Sequence, residues 1–393
     1  MRPSLRPDEL LGSLRPSIAA LPDSGIVEVV QYGMERPGLI PLWVGEGDAT
    51  TPSSIGDAAV AALRAGQTFY TYQRGIPPLR QAMARYLSGV HDREIAPERI
   101  FITASGMQAI TLTLQALIDP GDEVVLVTPV WPNILAALNI LGGVVRAVPM
   151  TLTDRGWSVD FDRLADACGP KTRAVFVNSP NNPTGWIMPR EEMEALADLA
   201  RHHGFWIIAD EVYNRITYDT DHAPSFLEVM EADERIVVVN SFSKNWAMTG
   251  WRVGWVVASP ALGQVYENLI QYNTSGVATF LQYGAVAALE EGLGTIDAVR
   301  ETCRIGRDIV CQRLGAMRKV RLARPQGAFY AFLAVDGETD SRSLAFRLVD
   351  EANVGLAPGS AFGPGGEGFL RLCFACSPAR LSEAMDRMEP MLS

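Results

Sequence analysis

Between residues 100 and 258 the chain falls into short runs that stay largely apolar along their whole length, instead of at every second position. They occupy 100–103, 123–128, 144–149, 173–178, 206–210, 236–241 and 253–257. A strand with one face in water alternates apolar and polar residues, whereas a strand covered on both faces does not. Seven such runs require a sheet enclosed between two layers. Helical patterns lie between several of them, at 106–117, 134–141 and 190–203, so the enclosing layers are helices and the sheet is largely parallel.

Beyond residue 260 the pattern changes. Long helices are expected at 278–291 and 296–317, strands near 328–333 and 369–374, and helices at 341–351 and 378–388. At 393 residues the chain exceeds what one core usually supports. The expected division is a large α/β domain over 51–285, a smaller α+β domain over 286–393, and an N-terminal segment over 1–50. That segment, rich in proline and glycine, is too short for its own core and should pack on the small domain. No internal repeat or low-complexity tract interrupts this plan.

The net charge of −11, with no long basic run, argues against nucleic acid as the main partner. Five scattered cysteines suit a reducing compartment, and the proline-broken N-terminus has no apolar signal region, so a cytoplasmic location is expected. Two uncharged windows, 100–118 and 127–145, carry prolines, asparagines and hydroxyls and read as strand–turn–helix pieces, not membrane spans. Cys373 and Cys376 form a lone CxxC without a second pair or a nearby histidine pair, so no metal site is expected.

Ligands of open parallel sheets collect at the carboxyl ends of strands, and unusual polar residues fall there. The chain has only three lysines, Lys171, Lys244 and Lys319, and Lys244 follows the run 236–241 in "SFSKNWAMTGWR". By position it is either an ordinary loop lysine or an amine poised for Schiff-base chemistry. Asp210 ends the run "FWIIAD", where an ionised carboxylate needs a cation or a helix start to satisfy it. Tyr213 stands three residues on. Ser105 and Gly106 sit at a strand-to-helix turn, a local anion site, and Ser241, Ser243 and Arg252 add donors for a phosphate. "NSPNNPTG" reads as a rigid turn. Arg371 lies within "FLRLCFA", where it either faces water or grips a carboxylate.

Taken together, "SFSKNWAMTGWRVGW", "NNPTG", "ADEVY", "SGMQA", "YTYQRGIPPLR" and "FLRLCFA" resemble the class I/II aminotransferases, pyridoxal-phosphate enzymes of fold type I. The matches run in family order from Gly45 to Arg371. The resemblance implies a large cofactor-binding domain with a mostly parallel mixed sheet between helices, and a smaller α+β domain. It implies that Lys244 attaches to pyridoxal 5'-phosphate and carries protons, that Asp210 pairs with the pyridine nitrogen, and that Asn182 and Tyr213 bond the ring oxygen. Trp131 would stack on the ring. Ser105, Gly106, Met107, Ser241, Ser243 and Arg252 would hold the phosphate, with Tyr70 reaching it across the interface of a homodimer with shared active sites. Arg371, with Asn182 and the backbone at Gly45, would bind the substrate α-carboxylate.

The implied reaction passes the amino group of an L-amino acid to a 2-oxo acid in a ping-pong cycle. β-Elimination of the C–S lyase type on the same residues is the alternative. Met107 stands where some aspartate-type members carry a lysine for a second carboxylate. A neutral or aromatic donor is therefore expected unless Arg74 or Arg36 supplies that charge. A non-catalytic ligand sensor is disfavoured, because nothing before Gly45 is long or basic enough to bind DNA.

Overall fold

In the computed structural model, which describes residues 7–393, the seven apolar runs form one seven-stranded sheet; residues 1–6 of the expected N-terminal segment lie outside the described residues. The strands are β1 (Ile100–Thr103), β2 (Glu123–Thr128), β3 (Val144–Pro149), β4 (Thr172–Asn178), β5 (Trp206–Asp210), β6 (Ile236–Ser241) and β7 (Gly254–Val257), in the spatial order β1-β7-β6-β5-β4-β2-β3. Strands β2 to β6 pair in parallel, and β7 runs antiparallel to both β1 and β6. β1, β6 and β7 are buried at every position, as strands without alternation must be. The edge strand β3 is more exposed, with alternating burial over its first four residues, whereas the other edge, β1, is fully covered.

Among the helices that frame the site are α1 (Gly25–Gly33), α2 (Ser53–Arg64), α3 (Pro77–His91), α4 (Gly106–Leu117), α5 (Arg190–His203), α6 (Thr279–Glu290), α7 (Leu293–Ala316) and α8 (Pro378–Leu392). A second, fully antiparallel sheet holds β8 (Val320–Leu322), β9 (Tyr330–Val335), β10 (Ala357–Pro358) and β11 (Phe369–Cys373), in the order β8-β9-β11-β10. Helices α7 and α8 pack on each other beside it. The helix expected over 341–351 is regular only over Ser341–Arg347 and widens into a π turn at Leu348–Ala352, closed by Asn353 at φ +54. From the N-terminal side, Ile40–Pro41 pairs in parallel with Val354–Gly355, and α1 packs against β10.

One register explains where a ligand can sit. Because β7 is antiparallel, its amino end lies beside the carboxyl ends of β1 and β6, and Gly254 pairs with both Thr103 and Ser241. Arg252, two residues before Gly254, is thereby brought beside Ser105 and Ser241. The approach depends on a missing side chain: a Cβ at Gly254 would lie 2.6 Å from the Gly106 nitrogen and 2.9 Å from the Asn240 oxygen. Gly254→Ala is expected to cost about 1–3 kcal/mol through overpacking and to weaken phosphate-ligand binding. Thermal melts and cofactor titration check this, and an unchanged dissociation constant would show that the turn tolerates displacement.

Candidate active site

The start of α4 is built to receive an anion. Ser105 caps the helix, its hydroxyl oxygen accepting from the Gln108 N–H at 3.0 Å, which leaves the hydroxyl proton free to donate. The first backbone-accepted bond at this end runs from the Ala109 N–H to the Ser105 carbonyl, so the Gly106 and Met107 N–H groups precede the ladder. Opposite them, Ser241 Oγ lies 2.9 Å from Ser243 Oγ. Arg252 takes a left-handed conformation at φ +55, with its Nη1 donating to the Thr249 carbonyl at 2.7 Å. Two serine hydroxyls, a helix start and an exposed guanidinium surround one end of the cleft.

Asp210 is only 2% exposed and accepts one weak hydrogen bond, from the Val212 N–H at 3.3 Å. No cation pairs with it among the described residues. Burial pushes its pKa up to about 7, against the pull of the Val212 N–H and of Lys244. Lys244 donates to the Gly45 carbonyl at 2.6 Å and lies 5.9 Å from the Tyr213 ring centre and 5.8 Å from that of Phe329. Its pKa is lowered to about 8, chiefly by burial, with Arg371 and Arg252 acting in the same direction and Cys373 and Glu46 opposing them. The Tyr213 hydroxyl meets that of Tyr330 at 2.6 Å, and burial raises the pKa of both phenols.

Arg371 does not face water. The alternation expected of β11 fails because both its faces are covered, and Arg371 is 3% exposed between the rings of Tyr330 and Phe362, at 4.6 and 4.8 Å. Its Nη1 donates to Asn182 Oδ1 at 2.9 Å, its Nη2 donates to the Trp43 carbonyl, and its Nε is buried without an acceptor among the described residues. Asn182 is itself held through its N–H by Asn178 Oδ1 at 2.8 Å.

These groups line one cleft of about 580 Å³. It brings together Gly45, Gly106, Met107, Trp131, Asn182, Asp210, Tyr213, Ser241, Ser243, Lys244, Arg252 and Arg371. Ser105 is buried just behind its wall. Tyr70 is not there: it is 95% exposed, on a surface that also presents Phe69 and Tyr72. The sequence reading missed Tyr330 and Asn178, which orient Tyr213 and Asn182, and the apolar face of α1 (Ile26, Val27 and Val30), which closes the cleft. The "GAFY" stretch that contains Tyr330 offers no sign of a partner 117 residues away. A second, smaller cavity of about 390 Å³ reaches Lys244 from another side, lined by Gly47, Ala49, Ala298, Val299 and Phe329. Arg74 is tied to Glu267 and Arg36 to Asp350, and neither lines the cleft.

The residues fit pyridoxal phosphate. A buried carboxylate without a counter-cation calls for a protonated ring nitrogen, the α4 cradle calls for a phosphate, and an amine with a lowered pKa suits an aldehyde. Arg371 Nε, an orphaned donor, calls for a carboxylate.

Comparison with known proteins gives the same answer. The family model for aminotransferase class I and II matches residues 38–388. An aspartate aminotransferase of Thermotoga maritima is 38% identical over 355 residues, covering 90% of this chain and 92% of that protein. A crystal structure of an aspartate aminotransferase from Thermotoga maritima superposes with a TM-score of 0.89 at 36% identity over 96% of this chain and all of that one. An arginine–pyruvate transaminase of Pseudomonas aeruginosa is 36% identical over 91% of this chain and 90% of its own length.

Two variants probe the central pair. Lys244→Ala should lose turnover and hold cofactor only non-covalently, so that borohydride leaves no mass-shifted residue; an adduct surviving in the variant would move the attachment elsewhere. In cofactor-free protein, the native state keeps the Asp210 proton to about pH 7, whereas an unfolded carboxyl loses it near pH 4. The stability this group contributes is therefore full below pH ~4 and is lost as pH rises through ~7. Asp210→Asn should stabilise cofactor-free protein at pH 8 by no more than about 4 kcal/mol, read as a higher melting temperature, with the gain vanishing near pH 4. An equal melting curve at pH 8 would contradict it.

Proposed function

The chain belongs to the class I and II aminotransferases, pyridoxal-phosphate-dependent enzymes that move an amino group from an amino acid to a 2-oxo acid, and we propose that its donor carries a neutral, apolar or aromatic side chain. The observation behind this is the set of charges in the cleft. Among the described residues its cations are Lys244, Arg252 and Arg371, and each has a task in holding cofactor or substrate. Facing them are Ile26, Val27, Val30, Val44, Met107 and Trp131. A second substrate carboxylate would be desolvated there without a cationic partner among the described residues, which is costly.

When bound, pyridoxal phosphate supplies an aldehyde that condenses with amines and a ring that withdraws electrons from the substrate Cα. The residues do the rest. Arg371 binds the α-carboxylate through Nε and the guanidinium edge, and Asn182 and Asn178 keep that edge in place. Lys244 Nζ, with its pKa lowered to about 8, is partly neutral near pH 7.5 and takes the Cα proton as general base. Asp210 holds a positive charge at the ring nitrogen. Tyr213, fixed by Tyr330, donates toward the ring oxygen. Ser105, Gly106, Met107, Ser241, Ser243 and Arg252 hold the phosphate, and Trp131 covers the ring. Phe329 and the α1 side chains keep water from the reacting carbon.

The functional unit in this reading is a homodimer, in which Tyr70 of one chain completes the phosphate site of the other. The exposed aromatics Phe69, Tyr70, Tyr72 and Tyr272 support it, because a lone soluble chain rarely shows so many. Five free cysteines agree with a cytoplasmic setting.

A donor panel tests the substrate assignment. Phenylalanine, methionine or leucine should exceed aspartate in kcat/KM by tenfold or more, each half-reaction followed by cofactor absorbance. An aspartate preference, as the name of the Thermotoga relative suggests, would overturn it. Arg371→Leu should raise KM for every donor by about ten- to a hundredfold, the loss of one or two charged hydrogen bonds, while the cofactor stays bound.

A further inference from the structure

Two of the chain's four histidines meet outside the cleft. His91 is the last residue of α3, His222 lies in the loop that follows β5, and Glu228 belongs to the short helix Phe226–Val229. Their donor atoms converge. His91 Nδ1 is 2.9 Å and His222 Nε2 is 3.1 Å from the same oxygen, Glu228 Oε1, and all three atoms lie within 4.8 Å of one another. The other carboxylate oxygen, Oε2, accepts from Arg190 Nη1 at 3.1 Å. Oε1 thus faces the two imidazole nitrogens, and Arg190 fixes the direction in which it points. The His91 side chain is fully buried, Glu228 is largely buried, and the His222 ring is about a third exposed. The cluster is closed behind and opens to a surface hollow lined by Gly89, Arg215, Asp221, His222 and Glu228.

We propose that this cluster binds a divalent transition-metal ion, with zinc the best match. Two imidazoles and one carboxylate are a donor set that zinc takes at about 2.0–2.2 Å, with water in the fourth position. Such bonds place neighbouring ligand atoms about 3.3 Å apart, close to the two nitrogen–oxygen spacings of 2.9 and 3.1 Å, while the two nitrogens lie within 4.8 Å of each other. An entering ion replaces the two hydrogens directed at Oε1. His91 then carries its proton on Nε2 and His222 on Nδ1, so neutral imidazoles release no proton. Arg190 supplies the outer hydrogen bond that orients a ligating carboxylate. Against tight binding, His91 Nε2 is buried without a partner among the described residues, so its relocated proton finds no acceptor there and binding is weaker than in closed structural sites. None of the three residues lines the cleft. Their link is mechanical: an ion would tie α3 to the segment that leaves Asp210 and carries Tyr213, which Glu211 already pins by accepting from Ser225 Oγ at 2.6 Å and the Phe226 N–H at 2.9 Å.

The test uses full-length, cofactor-loaded enzyme stripped with a chelator and dialysed against zinc chloride. We expect saturable uptake of one ion per chain, a rise in melting temperature, and visible d–d bands when cobalt(II) replaces zinc. In His222→Ala, whose ring is partly exposed, affinity should fall at least tenfold. The thermal shift and the cobalt bands should vanish, while transaminase activity without added metal matches the native enzyme. Glu228→Gln should behave alike, and if it fails to fold, His222→Ala alone decides. Absence of saturable uptake would overturn the proposal. So would undiminished binding in His222→Ala, which would place the ion on thiols or on the cofactor phosphate.

Discussion

The cleft is governed by two buried charges of opposite sign that do not neutralise each other. Asp210 ends β5 without an ion-pair partner among the described residues, and Arg371 sits between two aromatic rings with neutral partners and one donor that has no acceptor among them. Leaving ionised groups this way is unfavourable for an empty protein. It becomes favourable when a ligand brings a cationic nitrogen to one and a carboxylate to the other. Lys244 is close enough to feel both, and its lowered pKa follows from sharing their dry surroundings and the charge of Arg371. The polar chemistry is thus set by desolvation first and by pairwise attraction second.

Backbone direction is the other determinant. A parallel sheet alone would aim only carboxyl ends at the cleft. By reversing β7, the fold adds the amino end of a strand, and with it Arg252, to the serines that follow β1 and β6. The contact is so close that it needs Gly254.

The main sheet was readable because strands enclosed on both faces lose alternation, and seven runs matched seven strands within a residue at each end. Lys244 was readable because lysine is scarce and because the motifs around it occur in family order. The reversal of β7 was not, since an apolar run carries no sign of its direction. Arg371 was ambiguous for a related reason: alternation in "FLRLCFA" suggests a wet face, and only tertiary packing of Tyr330 and Phe362 against it shows otherwise. Tyr330 could not be found from its neighbours in the chain, because its importance comes from a hydroxyl contact across 117 residues. His91 and Glu228 are 137 positions apart, beyond any local pattern.

Gly45 joins the lysine to the two phenols. Its carbonyl receives the Lys244 amine, and a side chain there would overlap the Tyr330 hydroxyl. Enlarging this residue would therefore disturb the amine and both phenols at once, and a selection for altered substrate preference would find that floor closed to change. Innovation is left to the opposite wall, where the aliphatic side chains of α1 can be swapped without touching a proton-carrying group. The scaffold thus divides into an immutable half and a negotiable half.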